Sequence, residues 1–416
     1  MNLAATQAAE KKLLVQTYDR HAVMFVSGEG VHLRDADGNE YLDLLSGIGV
    51  SALGYNHPAI TKTITEQAAT LLHTSNLFYH SGTATLATKL TEITGMDRVF
   101  FCNSGTEAWE AALKIARSHA TLLRNEGKQI GTKILALEHS FHGRTMGAVA
   151  TTHKAKYREP FGPLTPGVEF VPFNDVAALR AAFSNDVCAI AIEVLQGEGG
   201  IHPVSQEFFA AARELCDSTG ALLLCDEIQS GIGRTGKWCA YQHYGIQPDV
   251  TTLAKALAGG LPMGATLCTE EAARAITPGM HGTTFGGGPL VCAVALTAID
   301  TIEHENLLAH NTEVGNYFME KLRALKKKHD CIVEVRGMGL MIGMELNDDD
   351  VAGKMVTAML EHHVIINRTS ETVLRFLPPY LITKADVDEG VAALDSALTE
   401  VLQAHTVLAG DHTHGE

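Results

Sequence analysis

Between Asp97 and Thr269, short apolar runs alternate with longer helical stretches: Arg98–Cys102, Lys133–Glu138, Val168–Phe173, Val187–Val194, Ala221–Ile228, Val250–Ala254 and Ala265–Cys268. None of the runs switches regularly between apolar and polar residues, which suits strands buried on both faces of a parallel sheet. Between them, Thr106–Arg124 carries Ala108, Ala112, Ile115 and Ala116 at helical spacing, and Pro203–Thr219 carries Phe208, Phe209, Ala212 and Leu215 likewise. The alternation predicts an α/β fold in which helices cover a mainly parallel central sheet.

After about Ile299 the texture changes. Glu313–Lys328 places Val314, Tyr317, Phe318, Leu322 and Leu325 on one face, and a last helix behind a Thr383 cap does so with Val387, Val391, Leu394, Leu398 and Leu402. A smaller unit is expected there. Near the other end, Val31–Leu44 carries the turn Asp35-Ala36-Asp37-Gly38 and reads as a β-hairpin joining that unit. The expected division is a discontinuous small domain, residues 1–50 and 300–416, and a large domain, 51–299. The tail Gly410–Glu416, with His412 and His414, is expected to fray.

Composition removes several function classes. Charged residues are 19% of the 416, against roughly 25% in an average soluble protein, so the chain is built to bury surface rather than to remain disordered. The formal charge of −16 repels a polyanion, which argues against non-specific nucleic-acid binding. No stretch approaches the ~18 uninterrupted apolar residues of a membrane span. The cysteines (Cys102, Cys188, Cys216, Cys225, Cys239, Cys268, Cys292 and Cys331) are scattered without a Cys-x-x-Cys pair, and Met1–Lys12 lacks the look of a signal or transit peptide. Reduced thiols in a cytoplasmic protein are the expectation.

Three local features carry chemistry. Asn103-Ser104-Gly105-Thr106-Glu107 lies between a strand and a long helix, where first-turn N–H groups and the helix dipole favour an anion such as phosphate. A tight turn capped by Ser104 or Thr106 is the alternative. Asp226 and Glu227 follow an apolar strand without a gap, so Asp226 falls at a strand's carboxyl end, where ligands bind in open α/β sheets; it could also cap the next turn. Lys255 stands among small and apolar residues, Thr251–Leu257, followed by Gly259 and Gly260. Burial there would lower its pKa toward a free amine able to form a Schiff base; a solvated lysine at a strand end is the alternative. Phosphate anchor, carboxylate and amine are together what pyridoxal phosphate needs.

Two competing motifs are weaker. Gly231-Ile232-Gly233-Arg234-Thr235-Gly236 matches G-x-G-x-x-G, the mark of an NAD-dependent dehydrogenase, but opens no clear helix and has no acidic partner about twenty residues on. His139-x-x-His142 and His362-His363 belong to no H-E-x-x-H or Cys/His cluster, so no metal site is expected, and His139 and His142 read as turn or pocket residues.

Taken together, Ser104–Ala108, Ser140–Thr145, Glu193–Gly199, Asp226–Gly231 and Lys255 resemble the class III pyridoxal-phosphate aminotransferases, and in that family's order. His281–Gly287 and Val373–Phe376 extend the resemblance over nearly the whole chain, and Ser75–Tyr79 is similar to the acetylornithine branch. The resemblance implies the fold type I of pyridoxal-phosphate-dependent transferases, with a large domain and a smaller α+β domain built from both chain ends. It implies that Lys255 carries the cofactor as an internal Schiff base and then moves the proton. Asp226 would pair with the pyridine nitrogen, Gln229 contact the ring hydroxyl oxygen and Phe141 stack on the ring. Gly105 and Thr106 would hold the phosphate, joined by Thr284 from the neighbouring subunit of a homodimer. Arg144 would clamp the donor's α-carboxylate, Thr283 add a substrate contact, and Arg375 bind 2-oxoglutarate or glutamate with Glu198 as its removable partner.

The implied reaction moves the terminal amino group of N2-acetyl-L-ornithine to 2-oxoglutarate, giving N-acetyl-L-glutamate 5-semialdehyde and L-glutamate by a ping-pong cycle, as in arginine biosynthesis. N-succinyldiaminopimelate, succinylornithine, ornithine and 4-aminobutyrate are alternative donors for the same chemistry. The chain departs from the family pattern at Gly288 and Trp109, where Asn is common, and at Val194, where Pro is usual. It also lacks, near Ile48, the tyrosine with which ornithine aminotransferases hold the α-amino end, which favours an acylated donor.

Overall fold

The computed structural model describes residues 2–411, with 406–411 described by backbone alone. Its strands form three sheets. The N-terminal strands are β1 (Phe25–Glu29), β2 (His32–Asp35) and β3 (Glu40–Asp43). The central strands are β4 (Arg98–Cys102), β5 (Lys133–Leu137), β6 (Val168–Val171), β7 (Val187–Glu193), β8 (Leu222–Asp226), β9 (Val250–Leu253) and β10 (Gly264–Cys268). Toward the C-terminus follow β11 (Ile332–Met338), β12 (Met341–Leu346), β13 (Val364–Ile365), β14 (Asn367–Thr369) and β15 (Val373–Phe376).

Each of the apolar runs between Asp97 and Thr269 is a strand of one sheet, in the order β4-β10-β9-β8-β7-β5-β6. All residues of β7 and β8 are buried, as befits strands covered on both faces. The pairing is parallel except at β10, which runs against both β4 and β9. Its start, beside Pro262 and Met263, therefore lies at the same edge of the sheet as the ends of its neighbours. Several strands stop short of the expected ends. β8 ends at Asp226 because that carboxylate turns the chain, Oδ1 accepting the Ile228 N–H at 3.0 Å.

The helix expected over Thr106–Arg124 spans Gly105–Asn125 and buries Ala108, Ala112, Ile115 and Ala116. The helix expected from Pro203 begins at Gln206, since Ser205 caps it and Pro203 instead bridges to Leu195. That expected at Glu313–Lys328 runs Leu307–Leu325, entered through Asn306 in the left-handed conformation. The last helix, Lys384–Asp411, follows a reciprocal cap in which Thr383 and Asp386 exchange side-chain-to-backbone hydrogen bonds.

Residues 32–35 and 40–43 form the expected hairpin, and β3 pairs in parallel with β13, so both ends of the chain share the sheet β1-β2-β3-β13. Residue 299 lies inside the helix Pro289–His304, which crosses the expected domain boundary unbroken. All eight cysteines are buried and free. Among the described residues no helix is long and apolar enough to cross a membrane. Of the tail expected to fray, 412–416 lie outside the described residues, while Gly410 and Asp411 belong to the last helix.

Candidate active site

The carboxyl ends of β4, β5, β7, β8 and β9 converge on a cavity of about 440 Å³, within the roughly 300–1,000 Å³ of small-molecule sites. Each strand delivers residues to it: Gly105 and Thr106 beyond β4, Phe141 and Arg144 beyond β5, Glu198 beyond β7, Asp226 and Gln229 at β8, and Lys255 beyond β9. Residues separated by as much as 150 positions are thus brought to one wall by parallel topology.

At one end lies the start of the helix Gly105–Asn125. Ser104 caps it, its hydroxyl accepting the Glu107 N–H at 3.3 Å. The N–H groups of Gly105 and Thr106, in the first turn, have no intrahelical carbonyl to reach. A side chain at Gly105 would press on Ile228, its Cβ lying 2.8 Å from Cγ2, so backbone is exposed to the cavity only because this residue is glycine. Cap and cradle coexist.

Asp226 is buried, with 5% of its surface exposed. One oxygen, Oδ1, takes the Ile228 N–H and, at 3.4 Å, the Thr252 hydroxyl; the other, Oδ2, lies 2.8 Å from His142 Nδ1. Glu193 ends β7 and is also buried. Its two oxygens accept the Phe141 N–H at 2.8 Å and the Gly197 N–H at 2.9 Å, so one carboxylate ties the aromatic plate to the loop bearing Glu198. Burial pushes the Glu193 carboxyl up to about 7, against the opposing pull of His142. Neither His142 nor Glu193 was assigned such a role from sequence. The available signal was a polar residue beside each motif's reacting group, which does not say where the side chain turns.

Lys255 adopts a left-handed φ of 44°, separated from the end of β9 by Ala254. Burial, reinforced by the charge of Arg375, lowers its pKa, while Glu198, Asp226 and Glu193 pull the other way. The nearest anions therefore do not restore an ordinary ammonium, and the amine reading is favoured over the solvated one.

Arg375 on β15 is almost fully enclosed, 1% exposed, and does not line the cavity directly. It reaches it through Glu198, whose Oε1 is 2.5 Å from the guanidinium, and through Gln229 Oε1 at 3.3 Å; Asn367 Oδ1 fixes its Nε at 3.1 Å. Burial works to raise the Glu198 pKa, but the charges of Arg375, Lys255 and Arg144 outweigh it and hold the carboxyl below its usual range. Arg144 is different. It is exposed, its guanidinium lies 3.5 Å from the centre of the Tyr157 ring, and it has no carboxylate partner among the described residues.

Two expected residues are not brought to the cavity within one chain. Thr283 gives its hydroxyl to other work, accepting from Asn103 Nδ2 at 3.1 Å and from the Gly286 N–H at 3.3 Å. Thr284 is exposed and outside the lining. The glycine motif at Gly231–Gly236 is a loop followed only by the short turn Ala240–His243, not by a helix. Arg234 inside it is fully buried against Tyr380, so the motif packs the core and offers no dinucleotide cradle.

The residues present fit pyridoxal phosphate: free N–H groups at the helix start after β4, a buried carboxylate at the end of β8, an aromatic plate and an amine with depressed pKa share one cavity.

The sequence profile of the family Aminotransferase class-III matches residues 15–398. The chain is 48% identical over 395 residues to the acetylornithine aminotransferase of Methanocaldococcus jannaschii, covering 94% of this chain and 97% of the relative. It is 46% identical to acetylornithine aminotransferase 1 of Bordetella bronchiseptica, covering 94% and 98%. Among solved structures, the ornithine aminotransferase of Toxoplasma gondii superposes with a TM-score of 0.92 at 32% identity, covering 97% and 96%. The acetylornithine aminotransferase of Elizabethkingia anophelis does so at 0.85 and 33%, covering 96% and 100%.

Proposed function

The chain belongs to the class III aminotransferases, which makes it a pyridoxal-phosphate-dependent transaminase, and from that premise we propose that its donor is N2-acetyl-L-ornithine and its acceptor 2-oxoglutarate. The cofactor supplies an electron sink and a carbonyl that exchanges amino groups. In this reading Gly105 and Thr106 hold its phosphate, Phe141 stacks on its ring, Gln229 meets its ring oxygen and Asp226 keeps a proton on its ring nitrogen. Lys255 Nζ anchors the cofactor and carries the proton at the carbon that gives or receives the amino group.

The observation that carries the reading is the contrast between the two arginines. Arg144 stands free at the cavity and clamps the α-carboxylate of the donor; Arg375 is closed by Glu198 at 2.5 Å while a donor without a second carboxylate reacts. When glutamate or 2-oxoglutarate enters, Glu198 swings away and Arg375 takes the second carboxylate. One chamber thus serves two differently charged substrates in turn. The segment around Ile48 presents apolar Val50 to the cavity rather than a phenol, in keeping with an acylated α-nitrogen. The names of the curated relatives support the same donor.

Catalysis in this reading needs a homodimer in which Thr284 completes the partner's phosphate site. Thr284 is exposed, as are Phe285 next to it and Leu77 and Phe78 following Asn76, whose amide donates to the Thr283 carbonyl at 3.0 Å; Leu77, Phe78 and Phe285 expose 85%, 70% and 65% of their surface, apolar area suited to a second copy. The compartment in this reading is the cytoplasm.

Initial rates with N-acetylornithine, N-succinyldiaminopimelate, succinylornithine, ornithine and 4-aminobutyrate, each with 2-oxoglutarate, test the donor. N-acetylornithine is expected to lead; a higher kcat/KM for any other donor overturns the choice. Borohydride reduction of the purified protein should fix a pyridoxyl group on Lys255, and a label elsewhere would refute the role of that lysine.

A further inference from the structure

His142 and Trp109 form a buried stack beneath the proposed ring-nitrogen carboxylate. The imidazole is 0% exposed and lies flat on the indole, ring centres 4.0 Å apart and planes 6° from parallel. Both partners are fastened from the same place. Trp109 Nε1 donates to Thr151 Oγ1 at 2.9 Å, and the backbone N–H of His142 donates to Thr152 Oγ1 at 2.9 Å. Each hydroxyl also donates to the Ala148 carbonyl. His142 Nδ1 faces Asp226 Oδ2, while Nε2 is buried without a hydrogen-bond partner.

That orphaned nitrogen identifies the tautomer. With the proton on Nε2, a lone pair on Nδ1 would face a carboxylate at 2.8 Å and a donor would be buried without a partner. With the proton on Nδ1, Asp226 receives a charge-assisted hydrogen bond and only an acceptor lacks a partner. A ring flip would reverse this, and the indole stacked flat on the imidazole face resists that rotation.

We propose that Trp109 is a positioning residue for the cofactor: its indole plate holds His142 as the Nδ1–H tautomer against Asp226, so that Asp226 keeps its aim at the ring nitrogen. Trp109 acts in this way only if Asp226 faces that nitrogen, as proposed above. The same helix then carries the phosphate cradle at its first turn and the support of the opposite end of the ring one turn later.

A double-mutant cycle on cofactor affinity, read by titrating the apoprotein with pyridoxal phosphate, tests the coupling. Trp109→Leu keeps an apolar side chain without a ring and Trp109→Phe keeps a ring. Trp109→Leu and His142→Asn should each weaken binding roughly ten-fold, the size of one hydrogen bond to a charged group. The double variant should be no weaker than His142→Asn alone, and Trp109→Phe should bind within about two-fold of the parent. The absorbance of the bound cofactor against pH should shift alike in Trp109→Leu and His142→Asn. Effects that multiply in the double variant, or parent-like binding by Trp109→Leu, overturn the role of Trp109. Asp226→Ala separates the two ideas: if it binds the cofactor like the parent, the assignment of Asp226 fails, whereas Asp226-dependent binding with a multiplicative cycle refutes the Trp109 proposal alone.

Discussion

Replacing Glu198 by alanine should shift the enzyme toward dicarboxylate substrates. Arg375 is 1% exposed and Glu198 bonds it at 2.5 Å, so a substrate carboxylate reaches the guanidinium only after this charge-assisted bond is broken. Such bonds are worth about 1.5–3 kcal/mol, and the Glu198 side chain is 32% exposed, which places its share toward the lower end. Deleting it should therefore raise kcat/KM for glutamate relative to N-acetylornithine by roughly ten-fold. Arg375 should stay in place, since Asn367 Oδ1 and Gln229 Oε1 still hold it at 3.1 and 3.3 Å. Single-turnover absorbance changes of the bound cofactor, with each amino donor alone, measure the two half-reactions separately. Glu198→Gln, which keeps the shape and removes the charge, should move the ratio the same way by less. An unchanged ratio in Glu198→Ala would refute the switch, even if overall turnover fell.

Two further outcomes follow from buried groups and close contacts. Glu227 is enclosed, accepting from Ser230 Oγ at 2.6 Å and from the Tyr241 N–H at 2.9 Å, and burial pushes its carboxyl from 4.5 to about 7. The folded chain then holds a proton that the unfolded chain releases between those values, so stability falls as pH rises through that window. Glu227→Gln, whose Oε1 still accepts the Tyr241 N–H while its Nε2 donates to a reoriented Ser230 hydroxyl, should gain up to about 3 kcal/mol over the parent in urea melts at pH 8 and nothing at pH 4; an equal gain at both pH values would refute the cause. Gly105→Ala would set a Cβ 2.8 Å from Ile228 Cγ2, displacing the cradle, and should weaken pyridoxal phosphate at least about ten-fold in apoprotein titrations. Parent-like affinity would show that phosphate binds elsewhere.

The layering of the fold was legible because burial on both faces leaves a run such as Val187–Val194 without polar interruptions. Strand partners were not. Nothing in the run Ala265–Cys268 marks it as the one antiparallel strand, because side-chain burial is the same for either direction. The candidate reacting groups could be singled out because such chemistry requires particular residue types at strand ends, and Asp226 and Lys255 do meet at one cavity. Their supports were missed for a physical reason: the stack of Trp109 on His142 and the grip of Glu193 on Phe141 and Gly197 depend on rotamers and on contacts across other strands. Trp109 was visible only as a departure from the family pattern, and the acceptor role of the Thr283 hydroxyl toward Asn103 was not legible either.

Charge at the chamber sharpens how substrates would be admitted. The chain as a whole carries −16, a field that opposes anionic substrates. Of the three basic groups assigned to the site, Lys255 is pushed toward its neutral form and Arg375 is matched by Glu198. Arg144 alone offers an uncompensated cation, exposed and resting on the Tyr157 ring, which holds it by its face and leaves its edge donors free. On the proposed assignment, a substrate's first carboxylate must therefore meet Arg144, and only a molecule with a second carboxylate then has reason to displace Glu198. The order of contact follows from which charge is already satisfied, and it lets a net-acidic enzyme distinguish a monocarboxylate donor from a dicarboxylate acceptor with one free arginine and one covered one.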